Sequence, residues 1–319
     1  MSSEKKVDLG RLLRALGPFI GLVLVYGLFA AIGPPQFTSF ENFRLVSSQT
    51  MIVGLGAIGM TFIVVSGGID LSVGSVIALA SVVTALLAKA GYSAPVSLMG
   101  GVLAGGTCGA LNGLLITSLR IVPFIATLGM FGIARGFAKY LAGVQKVDAP
   151  TDGISALTAK VPDPAWILFP RGVWMLFLLG VVMAVVLRRT TFGTHTFAIG
   201  SNEATARLCG VPVARTKVLL YMVGGLFAGL AGVIQFGRIS AGDPTAALGM
   251  ELNVIAAVVI GGGSLSGGEG RIFGSLVGAL MMTFLDNGCT MTDVPNYVQE
   301  IAIGAIIVAA VSLDRFWHR

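Results

Sequence analysis

Long apolar stretches follow one another along this chain, parted by short clusters of glycine, proline and charge. They fall at 16–33, 44–65, 72–88, 95–118, 121–142, 172–188, 217–237, 249–260, 272–288 and 297–313. A bilayer core of about 30 Å needs roughly 20 mostly apolar helical residues per crossing, so the pattern predicts about ten transmembrane helices. The eighth stretch is short, which predicts a broken or tilted helix. The expected fold is an all-α polytopic membrane protein. A segment 1–15 leads into a transmembrane domain over 16–313, and a tail covers 314–319.

Two of the polar interruptions are alike. VVSGGIDLSVG at 64–74 and VVIGGGSLSGG at 258–268 both fit Val-Val-x-Gly-Gly-x-x-Leu-Ser-x-Gly. A glycine-rich break between spans that occurs twice points to a transporter with related halves rather than an enzyme with one site. Gly67, Gly68, Gly261 and Gly262 permit backbone conformations closed to other residues. Asp70, Ser72, Ser264 and Ser266 can satisfy the local amides. These eight residues are expected to form two gating elements on the cytoplasmic side; two tight turns between spans are the plainer alternative.

Composition adds an exclusion and charge adds an orientation. With 55% apolar residues, 11% charged and a mean hydropathy of +0.89, the chain is no ordinary soluble domain. Lys5, Lys6, Arg11 and Arg14 precede the first stretch, and Gly33-Pro34-Pro35 follows it in place of a small-residue cleavage site, so that stretch is expected to be retained. With the basic start inside, thirteen of the 21 lysines and arginines lie on inner segments and eight on outer ones, the sign that the positive-inside rule requires. An even number of crossings then places both termini in the cytoplasm. The net charge of +6 is thereby absorbed by topology and does not call for nucleic acid. Cys108, Cys209 and Cys289 are isolated and His195 and His318 stand far apart, so no metal site is expected. No His-Glu-x-x-His, nucleophile elbow or mid-span carboxylate pair suggests catalytic residues.

Small residues recur at four-residue spacing: Gly101, Gly105, Gly109 and Gly113; Gly225 and Gly229; Gly270, Gly274 and Gly278. Such ridges let helix backbones approach closely, within one subunit or between two. The outer loop 143–171 is rich in turn residues and is expected to be irregular. The inner loop 188–217 is different. Ser201 is placed to cap a helix with Glu203 in its first turn; Ala204, Leu208 and Val211 fall on one side, Glu203 and Arg207 on another, and Gly210 and Pro212 end it. A two-turn amphipathic helix is too short to stand alone and calls for a docking partner, unless it only connects spans along the bilayer surface.

The stretches VVSGGIDLSVGSVIALA (64–80), FAIGSNEATARLCGVPVARTK (197–217) and IAAVVIGGGSLSGGEGRIFGSLVGAL (255–280) resemble the inner-membrane permease subunits of ribose-type monosaccharide ABC importers. The similarity runs over about 40–315, with the motifs in the family's order. It implies that 201–211 is a cytoplasmic coupling helix, with Asn202, Glu203, Arg207 and Gly210 matching the family pattern. It further implies a separate ATP-binding subunit that uses ATP and magnesium, a second permease copy and an extracytoplasmic sugar-binding protein, all working in a bacterial inner membrane. Asn253 stands where the family commonly has Asp.

Leu265-Ser266-Gly267-Gly268-Glu269 resembles a signature of the ATP-binding subunit, but no Gly-x-x-x-x-Gly-Lys-Ser/Thr loop accompanies it, so no nucleotide site or other cofactor is expected in this chain. Arg135 and Lys139 are expected to snorkel toward the outer surface, and Asp70 and Glu251 to sit at span ends. A lining of uncharged groups would suit a neutral polyhydroxylated solute. The candidates are Gln49, Thr61, Asn112, Gln235, Asn253 and Gln299. A branched-chain amino acid permease and an ion-coupled secondary carrier are the competing readings.

Overall fold

A helix of 26 residues that is apolar on every side must be buried among other helices, and α2 (Phe40–Val65) is. Ser39 starts it by accepting the Asn42 amide at 3.1 Å. Twenty of its residues are buried. The computed structural model describes residues 9–151, 153–159 and 167–317. Lys5, Lys6, Asp152, Lys160, Pro162, Asp163, Pro164 and the end of the chain at 318–319 lie outside the described residues.

The remaining elements follow in order: α1 (Leu9–Ile32), α3 (Val73–Lys89), α4 (Ala94–Ser118), α5 (Pro123–Ala142), β1 (Val147–Asp148), α6 (Ser155–Thr158), α7 (Arg171–Arg189), α8 (Thr191–Ser201), α9 (Glu203–Leu208), α10 (Val213–Ile239), β2 (Ala241–Gly242), α11 (Met250–Ile260), α12 (Ile272–Met291) and α13 (Asn296–Trp317). Each of the ten apolar stretches coincides with a helix. Among the described residues, α2, α4, α7, α10 and α12 are long and apolar enough to cross a membrane. The chain is a predominantly helical polytopic membrane protein. The segment expected over 314–319 continues α13 as far as Trp317.

Around α2 pack α10, α12, α11 and α7; α4 lies on α10 and α3, and α5 on α3. The glycine ridges explain the closest contacts. A methyl group placed on Gly105 would lie 2.3 Å from the Gly225 carbonyl oxygen, and one on Gly109 would lie 2.1 Å from that of Tyr221. The ridge on α12 meets α11: Gly274 abuts the Gly261 carbonyl and Gly278 that of Ala257. These ridges therefore serve packing within the subunit. Gly270 falls outside α12, in the preceding loop, and fits against Val65. Gly105→Val should separate α4 from α10; a loss of folded, monodisperse protein after detergent extraction is the expected result.

The outer loop is less irregular than its composition suggests. Val147 and Asp148 pair antiparallel with Gly242 and Ala241, Lys146 bridges Asp243 at 3.2 Å, and Ile154 is buried against Gly237.

The starts of α3 and α11 lie side by side. The Gly56 position on α2 faces Val73, the first residue of α3, and Val254 in α11. Gly56 precedes the end of α2 by nine residues, about 14 Å at 1.5 Å per residue. Hence α3 starts alongside α2, short of its end, and residues 66–72 reach it as non-helical backbone. α11, with 11 residues, follows the buried stretch Ala241–Asp243 and begins against α3, where Glu251 and the Ala247 carbonyl lie against Gly74.

Candidate coupling and translocation site

Each repeated break ends a helix in the same way. Gly67 and Gly262 take φ of +76° and +89°, and the next amides, of Gly68 and Gly263, donate to Ile63 O and Val258 O at 2.9 Å. This is the left-handed glycine termination that only a residue without Cβ adopts at low cost. The following turns also correspond. Asp70 Oδ1 accepts the Ser72 amide at 2.7 Å and the Ser72 hydroxyl at 2.6 Å; Ser264 Oγ accepts the Ser266 amide at 3.2 Å. By motif alignment Gly67 should match Gly261, yet the positive φ sits on Gly262, because α11 runs one residue further than α2 before it stops.

The two breaks touch. The Gly268 amide donates to Val65 O at 2.8 Å, and a methyl on Gly267 would lie 3.0 Å from Gly67 Cα. Between them sits Gly200, one residue before the end of α8. A methyl on Gly200 would lie 1.8 Å from Val65 O and 2.6 Å from the Gly268 amide nitrogen. Three backbones thus meet without an intervening side chain, and one of them leads directly into α9.

At α9 the structure amends the expected helix. Ser201 closes α8, and the cap is Asn202, whose Oδ1 accepts the Thr205 amide at 2.9 Å. α9 covers Glu203–Leu208, and Gly210 follows with φ of +83°. Its inward residue is Ala206, packed with Ile199, Val213 and Val211. Ala204 and Leu208 therefore do not share the buried side with Val211: Ala204 is exposed and Leu208 is 89% exposed. Glu203 pairs with Lys217 at 2.6 Å and Arg207 at 3.1 Å. The bond from Lys217 holds its carboxyl below the usual glutamate range. Glu203 ties α9 to α10 and orients it, leaving Leu208 and the exposed Arg207 facing outward.

The polar residues proposed to line a pathway do not form one wall. Gln49 faces a cavity of about 480 Å³ near the N-terminal end of α2, with Ser48, Ser155, Thr158 and Arg238. Thr61 is buried and donates to Ala57 O and Ser275 Oγ, joining α2 to α12. Gln299 bonds Asp286 between α13 and α12. Asn112 donates to Ser72 Oγ at 3.0 Å. Gln235 and Asn253 are half-buried on α10 and α11.

Arg135 does not snorkel. It is 7% exposed and donates through Nη1 to Pro244 O at 2.9 Å and Ala246 O at 2.7 Å. It thereby clamps the stretch before α11. Glu251 sits in the first turn of α11, with its Oε2 against Gly74 in the first turn of α3. Tyr221, buried on α10, donates to Ile69 O at 3.2 Å and fixes the first break from the other side. Sequence reasoning missed Gly200, Tyr221 and the role of Arg135. Only an arginine inside an apolar stretch hinted at one of them.

A glycine-braced junction thus joins the ends of two helices to an exposed surface helix. The profile of the family described as branched-chain amino acid transport system / permease component matches residues 42–311. The chain belongs to this family. This permease is 37% identical over 322 residues to the ribose import permease protein of Bacillus subtilis, covering 98% of the chain and 97% of the relative. It is 36% identical over 299 residues to the L-arabinose transport system permease protein of Escherichia coli, covering 93% and 90%. To the D-allose transport system permease protein of that organism it is 34% identical over 301 residues, covering 94% and 91%. No solved structure matches the permease.

Proposed function

We propose that the protein is the membrane-spanning subunit of an ATP-driven ABC importer that carries a monosaccharide of the ribose class across the bacterial plasma membrane by alternating access. Similarity along nearly the whole chain to permeases named for ribose, arabinose and allose carries this reading. Those names favour a sugar over the branched-chain amino acid of the family description.

The proposed topology has ten crossings with both termini cytoplasmic. The breaks and α9 then lie on the inner side and the 480 Å³ cavity on the outer side. ATP and magnesium belong to a separate ATP-binding subunit that receives α9. A second permease copy and an extracytoplasmic sugar-binding protein complete the assembly, and this chain itself supplies no cofactor site or catalytic residue. Closure of the ATP-binding subunits pushes α9; through Gly200 the push reaches both breaks at once. For such a push to do work, ATP must favour one state of the bundle over the other.

The direct test is uptake of labelled D-ribose, L-arabinose and D-allose by cells that lack other importers for them and express the whole assembly. Uptake of at least one sugar that disappears without the ATP-binding subunit is expected; accumulation by the permease alone under an ion gradient would overturn the proposal. Leu208→Asp places a charge where a partner's apolar groove is expected. It should reduce co-purification of the ATP-binding subunit about tenfold or more. Replacing Glu203 and Arg207 together should weaken the same association by loosening α9, and unchanged co-purification of both variants would exclude docking here.

A further inference from the structure

We propose a polar site in each subunit, between the first turns of α3 and α11, that takes the hydroxyl groups of the transported solute; the proposal rests on the sugar-permease reading above. Glu251 and the Ala247 carbonyl lie against Gly74, so the positive ends of the two helix dipoles converge there. Around this point the buried polar atoms are not all satisfied. Ser75 Oγ, Asn112 Oδ1, Glu251 Oε2, Arg135 Nε and Arg135 Nη2 have no hydrogen-bond partner. Ser75 and Asn112 are completely buried and Arg135 is 7% exposed.

Contacts tie three of these residues to the two helix starts. Asn112 reaches Ser72 at the cap position of α3; Glu251 Oε2 lies against Gly74 in the same turn; Arg135 holds the stretch that leads into α11. Native proteins leave few buried polar atoms unpaired, and each costs about 1–3 kcal/mol. Here five such atoms belong to residues of α3, α4, α5 and α11. The set is mixed: guanidinium N–H groups donate, a carboxylate and an amide oxygen accept, and a serine hydroxyl does either. A hydroxyl group is both donor and acceptor, so a neutral polyhydroxylated molecule satisfies this set as an apolar solute or a simple ion does not.

The test uses the complete assembly in proteoliposomes with D-ribose, L-arabinose and D-allose as probes. Wild-type protein that transports none of them refutes the sugar reading rather than the site. If one is transported, Glu251→Gln should lower its maximal uptake about tenfold or more, while binding-protein-stimulated ATP hydrolysis persists. Uptake within twofold of wild type would overturn the site. Should the variant fail to assemble, Cys108 decides the matter in the wild type. It is buried one helical turn from Asn112 on α4. The transported sugar, but not sucrose, should slow its alkylation by N-ethylmaleimide during turnover at least threefold, read by peptide mass spectrometry. Equal rates with and without that sugar would mean the orphan atoms hold water only, and the proposal would fall.

Discussion

Gly200→Ala is expected to reduce sugar uptake at least a hundredfold while the protein still reaches the membrane. The added methyl would lie 1.8 Å from Val65 O and 2.6 Å from the Gly268 amide nitrogen. Both neighbours are backbone, so no side chain can swing aside. Ordinary contact between a methyl carbon and an oxygen needs more than 3 Å, roughly. The end of α8 must therefore retreat by an ångström or more, and the hydrogen bond from Gly268 to Val65 lies directly in the way. Gly67→Ala is a graded control. Its nearest atoms are 4.0 Å away, and only its φ of +76° resists substitution, at about 1–2 kcal/mol. Uptake should fall much less in that variant. Transport rates normalised to membrane-inserted protein check both; wild-type transport by Gly200→Ala would falsify the idea that α9 acts through this junction.

Arg135→Leu should be the most damaging substitution to stability. It removes the donor to two buried carbonyls, of Pro244 and Ala246. It also removes a buried cation whose charge Glu251 and Asp243 favour from a distance. Breaking a buried, charge-compensated arrangement by removing one member costs about 3–5 kcal/mol. The stretch before α11 would lose its anchor, and α11 its fixed starting point. The expected observation is thermal inactivation at a temperature lower by several degrees, with aggregation after detergent extraction. Arg135→Lys keeps the charge but not the planar fork, and should fall between. An Arg135→Leu protein as heat-resistant as wild type would show that the clamp contributes nothing.

Much of this molecule is visible in its linear pattern. The ten apolar stretches match helices because residues buried in lipid or in a helical bundle must be apolar along their whole length. The repeated breaks were legible because left-handed turns need glycine, and Asp70 and Ser264 sit two residues before the serines they bond. The small-residue ridges were legible too, but their partners were not: nothing in the spacing of Gly105 and Gly109 says that α10 of the same subunit lies opposite. The cap of α9 was misplaced by one residue because Ser201 and Asn202 are both good capping residues, and the choice depends on where α8 ends. Leu208 faces outward and Ala206 inward because a helix of six residues takes its inner side from α8 and α10, not from its own periodicity.

The amino-acid sequence alone determines that this is a helical membrane protein, where its helices lie, and that two glycine breaks recur in it. Those properties depend on composition, local propensity and near neighbours in the chain. Which backbones come together was decided only by tertiary packing: Gly67, Gly200 and Gly267 in one junction, Arg135 on the carbonyls of a stretch more than a hundred residues away, and the first turns of α3 and α11 against each other. The physical reason is that such contacts form between surfaces, and a surface shared by distant segments leaves no periodic signal in either one.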